Sequence, residues 1–100
     1  MAISIVATRL LERREHAGLS QTELGVKARM NEFNCGIQIS QYETGKHMPN
    51  IWLMTRLAAV LQVPVPYFYC EDPQLADLIL KFEALGSEQR SRLLGYVAEL

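Results

Sequence analysis

The fold is decided by residues 19–52, which read LSQTELGVKARMNEFNCGIQISQYETGKHMPNIW. Ser20 and Glu23 have the spacing of a capping box, in which the Ser hydroxyl and the Glu carboxylate each bind a backbone N–H at the start of a helix. We therefore expect a helix over residues 21–29. After a turn, a second short helix is expected over residues 36–44, where a glycine at its end terminates it.

The second helix is expected to present an uncharged outer face. Ile39 and Tyr42, three residues apart, form one apolar edge that turns inward. The residues that then point away carry two amides, a hydroxyl and one aliphatic group: Ile37, Gln38, Ser40 and Gln41. A merely solvated face more often carries Lys and Glu. Amides suit bidentate contacts to a base edge and an aliphatic group suits a thymine methyl, so these four residues are predicted to read DNA bases.

Two segments, LSQTELG at 19–25 and ISQYETGKHMPN at 39–50, resemble the phage repressor/Cro family of helix-turn-helix DNA-binding domains, the XRE-type bacterial regulators. The resemblance covers about residues 5–69. It implies an all-α fold, with a five-helix lambda-repressor-like DNA-binding domain in residues 1–70. It also implies that the second of the two short helices is the recognition helix, which such proteins place in the major groove.

Two features depart from the family pattern. The turn from Met30 to Cys35 is about four residues longer than usual, and Gly25 stands where the family more often has Ala, a small residue for close helix approach. Within the turn, Phe33 is expected to pack over the core, and its insertion between bases is the less favoured alternative. Asn34 or Cys35 is expected to cap the recognition helix. Cys35 is interpreted as a small buried residue rather than a redox sensor.

An ion pair is predicted behind the recognition helix. The first helix, expected over residues 3–17 and ended by Gly18, has an apolar stripe that continues into Arg14. A guanidinium in that position needs a partner, because a buried unpaired charge is very costly. Glu43 follows the inward-facing Tyr42, and the family resemblance implies the same pairing. We therefore expect Arg14 and Glu43 to form a structural ion pair.

Three residues are predicted to contact phosphates. Gln21 opens the second helix, Lys46 lies in the loop after the recognition helix, and Asn50 is expected to cap a fourth helix. That fourth helix, residues 51–61, is expected to bury Ile51 along with its other apolar stripe residues and to half-bury Trp52.

The rest of the chain is expected to complete the core and extend it. A short fifth helix is predicted at residues 67–69, whose three aromatic side chains would close the bottom of the core. Residues 71–100 are predicted to form two amphipathic helices, one started by Asp72 and Pro73 and one capped by Ser87. Their apolar faces could pack on the core or across a two-fold axis. Because five helices already fill the core, we favour a dimerisation element.

Charge and composition limit the kinds of function that the protein could have. Residues 1–70 hold seven Lys and Arg against five Asp and Glu, whereas residues 71–100 hold three against six, for a net charge of −1. The DNA-facing surface is therefore expected in the first part, with modest affinity that depends on dimerisation. No residue pattern indicates a metal site, a cofactor, a small-molecule ligand, a membrane span or a catalytic centre. A reduced, cytoplasmic protein of bacterial or phage origin is expected.

The sequence as a whole predicts a non-enzymatic transcriptional regulator that binds double-stranded DNA. A repressor acting as a homodimer on a palindromic operator is the favoured form, and activation by contact with polymerase remains open. The alternative is a helical protein-interaction module, an adaptor or antitoxin-like partner, that keeps the fold without binding DNA. The near-neutral charge is the best support for that alternative.

Overall fold

The computed structural model describes residues 4–100, which are helical apart from turns and short connections. The helices are α1 (Ile5–His16), α2 (Gln21–Lys27), α3 (Cys35–Glu43), α4 (Ile51–Leu61), α5 (Val65–Tyr69), α6 (Pro73–Ala84) and α7 (Ser87–Ala98). The predicted all-α class, five helices followed by two more, is confirmed. The predicted start of the first helix at Ile3 lies outside the described residues.

Local signals set most of the helix ends. The capping box is present at α2, where the Glu23 N–H donates to Ser20 Oγ at 3.0 Å and the Ser20 N–H donates to Glu23 Oε1 at 2.9 Å. After α1 and α3 the chain turns at Gly18 (φ +72°) and Gly45 (φ +78°). These left-handed conformations are open to glycine at little cost, so both helices end where the glycines stand.

The core lies between the first five helices. α2 and α3 pack closely on each other, α3 also packs on α1 and α2 on α4, and α5 packs against α1 and α4. The largest side chains that are fully buried are Phe68, Leu10, Leu24, Ile39, Met54, Leu57 and Cys35. Five of these seven side chains are branched or aromatic. Their close packing holds α3, the helix that carries the candidate site, in a fixed position.

Gly25 of α2 contacts both ends of the turn between α2 and α3, Met30 at its start and Cys35 at its end. The Met30 N–H donates to the Gly25 carbonyl at 3.0 Å. At the other end, a Cβ on Gly25 would lie 2.5 Å from Cys35 Cβ, a distance that packed atoms do not adopt. Gly25 therefore allows α2 and α3 to approach through their backbones, which is the close approach expected of a small residue here. The residues between the two contacts bulge into solvent.

Several predicted positions were wrong. Phe33 is not packed over the core but is 90% exposed, because the bulging turn carries it away from the helices. Ile51 and Trp52 are also exposed, Trp52 to 77%, since the buried face of α4 is made by other residues, Leu53, Met54, Leu57, Ala58 and Leu61. Of the three aromatics in α5, Tyr67 and Phe68 are buried but Tyr69 faces solvent.

Several helix boundaries also differ from the prediction, among them the start of α5, which is at Val65 rather than Tyr67. α2 ends at Lys27 rather than near Arg29, because Arg29 adopts a left-handed conformation (φ +63°) that leaves the helix. α3 begins one residue earlier than expected, with Asn34 at the cap position. α7 has Gly86, not Ser87, as its N-cap, and the Gly86 N–H donates to Gln89 Oε1 at 3.1 Å.

The last two helices extend from the core, which only α6 joins, at its start. α6 packs on α5 through Ala76, which is buried, while Ile79 and Leu80 contact the core cluster in part. α7 contributes no buried residue. Both helices leave apolar side chains on the surface, and the molecule is correspondingly elongated, at 51 × 30 × 23 Å.

Candidate nucleic-acid interface

An open groove of about 450 Å³ runs between the start of α2 and the outer face of α3. Its walls are built by residues from α2, from the turn and from α3: Gln21, Thr22, Glu32, Phe33, Gly36, Ile37, Ser40 and Gln41. Glu32 is the one charged side chain among them. The groove is thus lined mainly by amides, hydroxyls and apolar groups, which can pair with hydrogen-bonding edges and methyl groups.

The structure brings most of the residues predicted for base reading into this groove. Ile37 is 65% exposed and lines it together with Ser40 and Gln41. Their spacing of three and four residues places them on one side of α3, while Ile39 is fully buried on the other. Gln38 is half-buried and does not line the groove, so it stands apart from the other three.

Arg14 and Glu43 meet directly behind the outer face of α3. Arg14 Nε donates to Glu43 Oε2 at 2.5 Å and Arg14 Nη2 donates to Glu43 Oε1 at 3.0 Å, a two-point contact. The side chains are 13% and 3% exposed. The hydrogen bond to Glu43 raises the pKa of Arg14, against the opposing effect of burial. The guanidinium also donates to the Leu19 carbonyl at 2.8 Å, which ties α1 to the segment that enters α2.

The same carboxylate holds one of the groove residues. Gln21 Nε2 donates to Glu43 Oε1 at 3.0 Å. This bond uses one of the two N–H groups of the Gln21 amide and leaves the second N–H and the carbonyl oxygen for other partners. Glu43 therefore connects the buried guanidinium to an amide at the rim of the groove.

Comparison with known proteins gives a match to a solved structure. No protein-family profile matches the chain, and no curated protein does. Among solved structures, the crystal structure of the transcriptional regulator BswR is similar over 94% of this chain and 93% of its own, with 41% identity and a TM-score of 0.87. The chain belongs to the BswR family of transcriptional regulators. This is a family of regulators rather than enzymes, as predicted.

The similarity to BswR also includes most of α6 and α7. Coverage of 94% leaves out about six residues, far fewer than the thirty residues from 71 to 100. The two terminal helices are therefore part of the shared BswR-type fold and not an appendage peculiar to this chain.

In this member of the BswR family, one of the three residues predicted for phosphate contact lines the groove, and the other two follow α3 in the chain. Lys46 is exposed, and its backbone N–H donates to the Gln41 carbonyl at 2.9 Å, so its loop is joined to the end of α3. Asn50 caps α4, where its Oδ1 accepts the Leu53 N–H at 2.8 Å. Gln21 lines the groove itself.

Four groove residues were not predicted for this surface: Thr22, Glu32, Phe33 and Gly36. Thr22 lies beside Gly36, where an added Cβ would be 2.6 Å from Thr22 Oγ1, so its position follows from close packing that no local pattern reveals. The signal available for the other two was the unusual length of the turn. Within residues 4–100 no cluster of His, Cys, Asp and Glu could hold a metal ion. None of the described helices combines the length and apolar character that a membrane crossing requires.

Proposed function

We propose that this transcriptional regulator binds double-stranded DNA in a sequence-specific manner, with α3 in the major groove. The observation that carries the proposal is the largely uncharged groove, whose amides and apolar groups project from a helix held rigidly by Arg14 and Glu43. Uncharged amide, hydroxyl and methyl groups are the chemistry that distinguishes base pairs in the major groove.

Each predicted site residue receives a separate role in this proposal. Gln38, Ser40 and Gln41 would bind base edges, and Ile37 would pack on a thymine methyl. Gln38 would act from the side of α3, outside the groove. The flanking Gln21, Lys46 and Asn50 would bind phosphates and fix the register on the duplex. The amide N–H of Gln21 that Glu43 leaves free, and the exposed ammonium of Lys46, support these assignments.

The distribution of charge supports binding through the first five helices. Residues 1–70 carry a formal surplus of two positive charges, and residues 71–100 a surplus of three negative charges. The acidic end would be repelled by a phosphate backbone, so α6 and α7 would point away from DNA. A surplus of two charges gives one copy little non-specific affinity, and useful affinity would require two linked copies.

We propose that α6 and α7 supply this linkage as a homodimer interface. They form an apolar groove of about 420 Å³, lined by Pro64, Leu75, Leu78, Ile79, Phe82, Glu83, Leu93, Leu94 and Val97. Leu75, Leu78, Leu94 and Val97 are each about half exposed in the single chain. A contiguous apolar face on an otherwise polar surface marks an interaction site, and two copies related by a two-fold axis would cover each other's faces.

A two-fold dimer would read two half-sites about one helical turn, roughly 34–36 Å, apart. The operator would then be approximately palindromic. We propose repression of the Cro/C1 type as the outcome, within the XRE group that the sequence resembles, because a dimer that covers a promoter blocks access of polymerase.

Selection of bound sites from random duplex DNA tests the function directly. The expected result is a palindromic sequence with half-sites one turn apart. Recovery of unenriched DNA would contradict the proposal and favour the alternative, a protein-interaction module without DNA binding.

Two single variants test the separate roles of base reading and phosphate binding. Gln41→Ala should cost about 1–3 kcal/mol and relax preference at one or two base pairs, because it removes a base-edge contact. Lys46→Ala should weaken all sites alike and reduce the slope of log affinity against log salt by roughly one. Identical behaviour of the two variants in a binding titration would show that these roles are misassigned.

A further inference from the structure

Phe33 is the most exposed large apolar side chain in the part of the chain that the structure describes. Full burial of a Phe side chain is a substantial stabilisation, so its exposure does not serve the fold of one chain. The turn that carries it is nevertheless ordered by hydrogen bonds. The Phe33 N–H donates to Asn31 Oδ1 at 2.9 Å, and the Cys35 N–H donates to the Asn31 carbonyl at 2.9 Å. The phenyl ring is thus presented to solvent from a fixed backbone.

The position of Phe33 links it to the base-reading residues. It lines the same groove as Ile37, Ser40 and Gln41, and it precedes the first residue of α3 by two positions. The N-terminal end of a recognition helix is the part that contacts base edges. Glu32, beside it on the groove wall, would be repelled by phosphates, so this end of the groove suits base edges better than the backbone.

We infer that Phe33 is a specificity-determining residue that contacts a thymine methyl in each half-site, at a base pair other than the one Ile37 contacts. This inference rests on the proposed DNA binding through α3. A phenyl ring has no donor or acceptor, and the thymine methyl is the apolar group that a base pair presents in the major groove. Proteins that insert a side chain between bases do so from the minor groove and kink the duplex. A ring beside a helix in the major groove lies on the opposite side of the base pairs, so insertion is not expected here.

The test compares sites selected from random duplex DNA by the wild-type protein, Phe33→Ala and Tyr69→Ala. Tyr69 is also an exposed aromatic but does not line the groove, so it serves as the matched control. Phe33→Ala should lose the preference for thymine at one base pair in each half-site and keep the other preferences. Tyr69→Ala should select the wild-type sequence. Thermal unfolding should be unchanged in Phe33→Ala, because the side chain is not packed in the core.

Replacement of single thymines by deoxyuridine, which lacks only the methyl group, identifies the contact. At the relevant thymine the wild-type protein should lose affinity roughly fourfold, the value of one buried methyl-sized group. Phe33→Ala should be insensitive there, whereas Ile37→Ala should be insensitive at a different thymine. If Phe33→Ala keeps the wild-type site and deoxyuridine profile, or weakens all DNA alike, this inference is overturned while the proposed function stands. If the wild-type protein enriches no sequence, both are overturned.

Discussion

Arg14→Met should destabilise the protein strongly, because it leaves the Glu43 carboxylate buried without its cation. The carboxylate is 3% exposed and would keep only the Gln21 amide as a side-chain partner. Removal of one member of a buried ion pair costs about 3–5 kcal/mol. The 13% exposure of Arg14 lets some solvent reach the vacated space, so we expect about 3 kcal/mol. That is a large part of the roughly 5–15 kcal/mol that stabilises a domain.

Urea unfolding followed by far-ultraviolet circular dichroism measures this loss. With a slope of about 1–3 kcal/mol per M, the midpoint should fall by roughly 1–3 M. Lys81→Met is the matched control, because Lys81 pairs with Asp77 at 2.8 Å on the exposed side of α6. A surface pair contributes about 0–1 kcal/mol, so this control should hardly move the midpoint.

The double variant Arg14→Met with Glu43→Leu separates the cost of an orphaned charge from the value of the pair. Replacement of both ions by apolar groups of similar size is often close to neutral. The double variant should therefore be more stable than Arg14→Met alone. If Arg14→Met were no more destabilising than Lys81→Met, or if the double variant were less stable than the single, the ion pair would not be what holds α3 in place.

Three further predictions follow from particular contacts. Gly25→Ala should lower the free energy of unfolding by about 1–3 kcal/mol, because the added Cβ clashes with Cys35 Cβ. Adding Cys35→Gly to this variant should restore part of the loss, whereas a Gly25→Ala variant as stable as the wild-type protein would contradict the close approach of the two helices. Leu78→Glu should be monomeric by light scattering, because Leu78 lines the apolar groove of α6 and α7, whereas Ser91→Glu, outside that groove, should remain dimeric. If both variants were dimeric, the dimer interface would not lie in this groove. Hydrogen bonds at the α2 cap lower the pKa of Glu23 in the folded protein. The ionised Glu23 therefore stabilises the fold fully above its unfolded pKa of about 4.3, and this stabilisation is lost as the pH falls through the lowered folded pKa. Glu23→Gln should lose less stability in acid than the wild-type protein, and equal losses would refute the assignment.

The fold could be predicted where the decisive interactions are local in sequence. The capping box at Ser20, the glycine turn at Gly18 and the Asn50 cap each depend on residues within a few positions of one another, and all three form as expected. The inward and outward sides of α3 follow from helical periodicity alone. Periodicity also indicated which faces of α6 and α7 are apolar, but it contains no information on whether another chain covers them.

Exposure of single apolar residues could not be predicted in this way. Ile51 continues the apolar stripe of α4, and Trp52 is large, so both were expected to be at least partly buried. Yet Leu53 and Met54 of the same turn are buried, and with Leu57, Ala58 and Leu61 they form the buried face of α4, at whose edge Ile51 lies. Periodicity tells which side of a helix faces inward, but how wide a strip the core covers depends on how the neighbouring helices cross.

The two departures from the helix-turn-helix pattern that the sequence resembles, Gly25 and the longer turn, form one structural feature. Cys35 Cβ occupies the space that an alanine at position 25 would need, and the Gly25 carbonyl accepts the N–H of Met30. Both ends of the lengthened turn are thereby fixed at a single residue of α2, and the residues between them, 31–34, are all exposed. Hydrophobicity alone assigns Phe33 to the interior, whereas this closure forces it outward on the side of the groove. The added length therefore enlarges the candidate reading surface without disturbing the packing of α2 on α3.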